Sequence, residues 1–283
     1  MKDVGGNIRY YGASPNNYIY FNCSDYSNQS SSTCETWRII GVFDGKIKLI
    51  RGSQIGTYAL DNKDTTTGAE NNYGKNDWTD ARLMKLLNPG YESEATGGSL
   101  YYNSGSGNCY VGQNNATKAC DFTSTGIKND KTRGLISEET YSLLGLSTSS
   151  VYANEIYEYE RSTGKVHSDR PTTWTGKIAL AYPSDYGYAV DLSKCSQNLF
   201  NYDNSTCTSN NWMNTIIAPN YGWLLTPFFG GTSGAWRVNS SGFVYNLYGA
   251  YYALGVAPVL SLNSELAVKA GTGSSSAPYQ LSA

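Results

Sequence analysis

Two β-prone runs, Trp37-Arg38-Ile39-Ile40-Gly41-Val42-Phe43 and Lys46-Ile47-Lys48-Leu49-Ile50, face each other across Asp44-Gly45. Both turn residues tolerate positive φ, so the stretch predicts a β-hairpin. Residues 18–23, Tyr18-Ile19-Tyr20-Phe21-Asn22-Cys23, read as a strand leading into a polar loop. Helical patterning is sparse. Residues 76–88 predict a helix capped by Asn76 or Asp77, with apolar positions at Leu83, Met84, Leu86 and Leu87 and a stop at Pro89-Gly90. A shorter helix is expected from Ser137, with Glu138 and Glu139 in its first turn, Leu143 and Leu144 facing inward, and Gly145 at its end. Residues 177–188 suggest a short strand broken at Pro183. Four more short strands follow over 223–226, 235–239, 242–246 and 255–262, with Asn239-Ser240-Ser241-Gly242 as a hairpin turn. The pattern is α+β, with few helices, short antiparallel strands and long loops. A single domain over 1–270 and a loosely held Gly/Ser-rich tail over 271–283 are expected.

Composition sharpens this picture. The chain's 283 residues include 25 Tyr and 30 Gly, and only 40% are hydrophobic, which favours a loop-rich, hydrogen-bonded architecture over a helical bundle. A net charge of −2 without a basic run gives no footprint for nucleic acid. No stretch approaches the roughly 18 apolar residues of a membrane span. The six cysteines form three local pairs, Cys23/Cys34, Cys109/Cys120 and Cys195/Cys207, without a CxxC motif. Local bridging of each pair is the economical arrangement, each bridge stapling one polar loop in an oxidising compartment. The second pair falls in the Gly/Ser/Asn-rich stretch 97–126.

The run from Trp37 to Phe43, Asp77-Trp78-Thr79-Asp80-Ala81-Arg82-Leu83-Met84, the segment Lys177 to Tyr188, Ala235-Trp236-Arg237-Val238-Asn239 and Gly255-Val256-Ala257-Pro258-Val259 carry a resemblance. In order and spacing they resemble bacterial, mostly Firmicute, surface proteins with a C-type-lectin-like domain related to the formylglycine-generating-enzyme fold, many borne on pilin-like stems. The resemblance covers nearly all of the chain from about Tyr10. It implies a cell-surface or extracellular domain whose export signal and stem precede it, the stem being its connection to the membrane. Ala257 stands where the family often has Arg. A subset of such proteins are variable proteins of diversity-generating retroelements. The positions here that fit that pattern are Phe228, Phe229, Gly230, Gly231, Gly234, Phe243, Tyr245, Asn246, Leu247, Tyr248, Tyr251 and Tyr252, each reachable from an Asn codon and interleaved with scaffold residues such as Trp236 and Val244.

These residues are the expected ligand-binding face, because exposed Tyr offers large contact area at low entropy cost. Along Gly242 to Tyr248, Phe243, Tyr245 and Leu247 are expected on one side and Val244, Asn246 and Tyr248 on the other. Trp37, Trp78, Trp223 and Trp236 sit in contexts that predict core. The resulting expectation is an adhesin-like module recognising a protein or glycan on another cell, phage or host surface. A structural pilus or surface-layer subunit associating with its own kind is the alternative, and an exported glycan-active enzyme the weaker one. His167 and Asp169 could form an acid–base pair, but no nucleophile elbow accompanies them and a solvated loop is the plainer reading. Glu155, Glu158 and Glu160 read as one exposed edge rather than a glycosidase pair. Cys195 and Cys207 are better explained as a bridge than as the reactive thiols of the enzymes of the fold. Asp61, Asp64 and Asp203 are weak calcium candidates without an EF-hand loop. No catalytic residue, metal or cofactor is expected.

Overall fold

The computed structural model describes residues 1–62, 73–92, 97–111 and 117–283. The expected hairpin is its backbone. Glu35–Phe43 (β3) and Lys46–Arg51 (β4) pair antiparallel around Asp44 and Gly45, which take φ of 49° and 79°. Ile8–Arg9 (β1) and Tyr18–Phe21 (β2) both pair with β3, and Val259–Ser261 (β15) joins β4 to Ile178–Ala179 (β10). Thus residues far apart in the chain complete one six-stranded sheet.

Both faces of this sheet are buried. Trp37, Ile39, Leu49 and Leu260 pack in one apolar cluster, while Ile40, Ile50 and Val259 pack in another with Trp212, Trp236 and Tyr186. Alternation along each strand therefore feeds two cores rather than a core and solvent. Smaller antiparallel pairs surround it: Thr57–Ala59 (β5) with Ala253–Gly255 (β14), Ser106–Tyr110 (β6) with Thr117–Asp121 (β7), and Glu139–Ser142 (β8) with Thr173–Gly176 (β9). A separate three-stranded sheet is formed by Trp223–Pro227 (β11), Gly234–Val238 (β12) and Val244–Gly249 (β13). Helices are short: Arg82–Leu87 (α1), Asp130–Leu135 (α2), Ala153–Glu158 (α3), Pro183–Tyr188 (α4), Ser205–Ser209 (α5) and Asn214–Ile217 (α6). The mixed α+β class follows. The four tryptophans expected in the core are buried.

Three expectations need correction. The helix expected from Asn76 begins only at Arg82, because Asp77 accepts hydrogen bonds from the Thr79 amide and hydroxyl and holds a turn there. The helix expected from Ser137 is the strand β8, whose ladder with β9 satisfies the backbone; the helix lies just upstream as α2, capped by Asn129. The tail is tied in rather than loose. Val268–Ala270 (β16) pairs with Gln280–Leu281 (β17), Tyr279 exchanges backbone bonds with Tyr18 and Tyr20, and the buried Leu281 is bonded at both amide and carbonyl by Gln29.

The three expected bridges, Cys23–Cys34, Cys109–Cys120 and Cys195–Cys207, are all present, which fits an oxidising environment. No helix among the described residues is long and apolar enough to cross a membrane.

Under the central sheet lies a buried ionic network. Asp185 in the first turn of α4 accepts from Arg9 of β1 at 2.8 Å and from Lys48 of β4 at 2.5 Å, and Arg9 also meets Asp3 at 2.5 Å. Asp185 Oδ2 further accepts from the Tyr182 amide at 3.0 Å, capping its own helix. Burial pushes the Asp185 carboxyl up, but Lys48 and Arg9 pull it well below the ordinary carboxylate value. A carboxylate depressed in the folded state adds stability above its unfolded value of about 3.9, and that contribution is lost as pH falls below it. Asp185→Asn leaves the buried Lys48 without an anion and Arg9 with Asp3 alone, so unfolding in urea at pH 7 should show a loss of about 3–5 kcal/mol. The acid-induced fall in stability below about pH 4 should also be shallower in that variant.

Candidate functional site

The three-stranded sheet turns one face inward and one outward. Trp236, Val238 and Val244 point into the second core, so Arg237 and its cross-strand partner Tyr245 lie on the other face. The Asn239 to Gly242 turn connecting β12 and β13 closes with Gly242 at φ 102° and a 2.8 Å bond from its amide to Asn239. Further along, Tyr248 lies opposite Ala235 while Tyr245 lies opposite Arg237. Three positions on β13 thus span two on β12, which is a β-bulge, and it brings Tyr248 to the same side as Tyr245. The expected strict alternation, with Tyr248 opposed to Tyr245, is therefore corrected.

The bulge assembles a row of rings. Tyr248 and Tyr252 have centroids 4.5 Å apart, Tyr252 stacks on Tyr251 at 4.2 Å, and Tyr251 meets Tyr73 at 5.4 Å. With Tyr245 and Leu247 they line an open depression of about 400 Å³. Two glycines give the rings room: a Cβ on Gly234 would meet Leu247 Cδ1 at 2.7 Å, and one on Gly249 would meet Tyr251 Cε1 at 2.9 Å. The Arg237 guanidinium lies 4.1 Å from the Tyr248 ring centroid, 5.0 Å from Tyr221 and 5.7 Å from Tyr245. Its Nε and Nη1 are buried without an acceptor, and burial pulls its pKa down. Cation–π attraction from these tyrosines offsets part of that cost and fixes the rings it touches.

The loop before β12 is equally fixed. The buried Asn76 side chain donates to the carbonyls of Phe228, Gly231 and Gly234 at 3.1, 2.9 and 2.8 Å, and Arg170 reaches the Thr232 carbonyl at 3.2 Å. A single amide cannot make three strong bonds with two hydrogens, so these contacts share its donors. Their effect is to hold the loop against the sheet.

The twelve expected face residues divide. Tyr245, Leu247, Tyr248, Tyr252 and Gly234 meet at the depression, and Phe228 touches it through Gly234. Tyr251 also lines it but is 5% exposed, so it is a packed support rather than an open ring. Gly234 and Asn246 are buried too, Asn246 because alternation places it beside Val244 on the inward face. Phe243 packs on Phe200 at 5.7 Å, away from the tyrosine row, and Phe229 lies 5.8 Å from Lys165. Gly230 is exposed and Gly231 half-buried in the pinned loop. Tyr73, Arg237 and Asn76 join the site without having been singled out as face residues. Period-two alternation through Trp236 and Val238 could have pointed to Arg237, whereas nothing local marks Tyr73.

The chemical candidates are placed elsewhere. His167 Nδ1 lies 2.5 Å from Asp169 Oδ1 on an exposed loop, and Asp169 is shared with Arg170 at 2.6 Å. Glu155, Glu158 and Glu160 do not form one exposed edge: Glu155 and Glu158 on α3 are exposed, but Glu160, just past its end, is fully buried and bonded to the Ser184 amide and hydroxyl and to Arg161. Asp61 is buried and accepts from the Lys75 amide, Asp203 is exposed, and Asp64 lies outside the described residues. Among the described residues no three His, Cys, Asp or Glu side chains gather to hold a metal ion. No protein-family model, curated protein or solved structure matches the chain.

The division of tyrosines has a measurable consequence. Tyr251→Ala should cost about 3 kcal/mol, as expected for truncating a packed aromatic ring. Tyr245→Ala should cost less than about 1 kcal/mol because its ring is already half in water. Chemical denaturation of the two variants checks the contrast.

Proposed function

We propose that this chain is a binding module of C-type-lectin-like type, displayed on a cell surface, that recognises a protein or glycan through the face formed by Tyr245, Leu247, Tyr248 and Tyr252. The observation that carries this reading is the row of half-exposed tyrosines, Tyr245, Tyr248 and Tyr252, resting on the buried Tyr251 and lining an open depression, on a sheet whose other face is core. Such rings combine apolar area with hydroxyls and are held in place by neighbours, so a ligand meets them with little ordering cost. The sheet shared by the N-terminal hairpin and β15, with a separate three-stranded sheet bearing the face, supports the lectin-like reading. Diversification is part of the same proposal and has room at the outward positions, whereas Gly234, Asn246 and Tyr251 are constrained by packing.

One observation favours self-association as the second reading. Among the described residues β13 pairs only with β12, as an edge strand, and its Leu247 is exposed, so a second copy could add a strand there. Glycan arrays and a panel of displayed surface proteins should be probed with the native chain and with a Tyr245→Ser/Tyr248→Ser/Tyr252→Ser variant. The native chain should bind at least one member and the variant at least tenfold more weakly, with both sedimenting as monomers. Equal binding by the variant would contradict the assignment of the face, and concentration-dependent assembly lost in the variant would favour the pilus or surface-layer reading.

A further inference from the structure

A second depression, of about 390 Å³, shares no lining residue with the tyrosine face. Its walls include Tyr18, Thr36, Arg38, Arg51, Ser53 and Thr215. The two arginines in it are treated very differently. Arg51 is matched: its Nε and Nη2 meet the two carboxylate oxygens of Glu35 at 3.0 and 3.3 Å, and Nη1 bonds Ser53. That pair is electrically neutral.

Arg38 is only 6% exposed, yet no carboxylate pairs with it among the described residues. Its Nε donates to Asn17 Oδ1 at 2.6 Å, and its guanidinium carbon lies 3.7 Å from the Tyr18 ring centroid and 4.8 Å from that of Trp212. Nη2 is buried without an acceptor. Burial lowers the Arg38 pKa to about 10, which leaves the group charged at neutral pH. A buried cation without an anion is costly, and cation–π contact with two rings offsets only part of the cost. The same contacts fix the guanidinium and leave Nη1, which makes no hydrogen bond among the described residues, as the donor that a carboxylate in the depression can reach.

We propose that this depression is a carboxylate-binding site in which Arg38 receives one monoanionic carboxylate group. The charge sets the class: Arg38 contributes +1 and the Arg51–Glu35 pair none, so one carboxylate neutralises the site and a dianion overshoots it. Thr36 lies two positions before Arg38 on β3, on the same side of the strand, and is exposed at the mouth of the depression. It is placed to meet whatever body carries the carboxylate.

The test is an arginine Nε–Hε NMR titration of the full chain with sodium acetate, sodium glucuronate and N-acetylglycine, against sodium chloride at equal ionic strength. The Arg38 signal should shift saturably with at least one carboxylate and not with chloride. Tighter binding of glucuronate than of acetate identifies a sugar acid as the source, and tighter binding of N-acetylglycine a peptide terminus. Thr36→Glu, at an exposed position, supplies a carboxylate from the chain itself; it should raise the melting temperature and weaken acetate binding at least tenfold. In Arg38→Gln, calorimetric titration should show the carboxylate binding of the native chain weakened at least tenfold. No saturable shift with any of the three carboxylates, or binding undiminished in Thr36→Glu, would overturn the proposal.

Discussion

Asp185 is the anion on which the architecture converges. It bridges Arg9 from the first strand of the sheet, which Asp3 also pairs, and Lys48 from the central hairpin, and it caps the helix in which it sits. Arg9 is at the same time 4.6 Å from the Phe43 ring and 4.9 Å from Tyr188, so the charges are enclosed by aromatic rings. In such surroundings an ion pair contributes little net stability compared with an apolar core, but the loss of one partner is severe. The network ties β1, β4 and α4 to one another through a single carboxylate. The central sheet, with a core on each face, then supplies a rigid body to which the small peripheral sheets attach.

The abundance of tyrosine acquires two meanings on that body. Tyr186 and Tyr202 are core residues whose hydroxyls find partners, Tyr186 on Asn214 and the Gly242 carbonyl and Tyr202 on the Gly187 carbonyl. Tyr245, Tyr248 and Tyr252 are half-exposed. What separates the groups is backbone geometry. The bulge in β13 puts two tyrosines three positions apart on one side, Arg237 holds their rings from beneath, and Asn76 holds the adjoining loop. The result is a preordered aromatic surface, the property that makes tyrosine effective in recognition.

Local signals were legible in the sequence and distant ones were not. Asp44-Gly45 announces its hairpin because the turn chemistry is contained in two residues, and the cysteine pairs announce their bridges because each loop is short. The strand at Glu139 was hidden, since acidic residues ahead of two leucines also suit a helix and the deciding partner, β9, lies some thirty residues later. The closing strand β17 escaped notice behind a Gly/Ser-rich stretch, although Leu281 is fully buried. In the site, the Tyr/Gly segment was visible by composition, but alternation alone misassigned Tyr248 because a bulge leaves no clear mark in sequence. Tyr73 and Asn76 reach the face only through tertiary packing, as does the unpaired state of Arg38 in the second depression.

The central claim is that one set of tyrosines forms an open, prefolded surface while its chemically identical neighbours are core. Nitration by tetranitromethane of the native chain, mapped by mass spectrometry, measures this directly. Tyr245 and Tyr252 should react in the folded protein at rates close to those of the exposed Tyr11 and Tyr152, whereas Tyr101, Tyr186 and Tyr202 should react only after unfolding. Protection of Tyr245 and Tyr252 equal to that of Tyr186 would contradict the account.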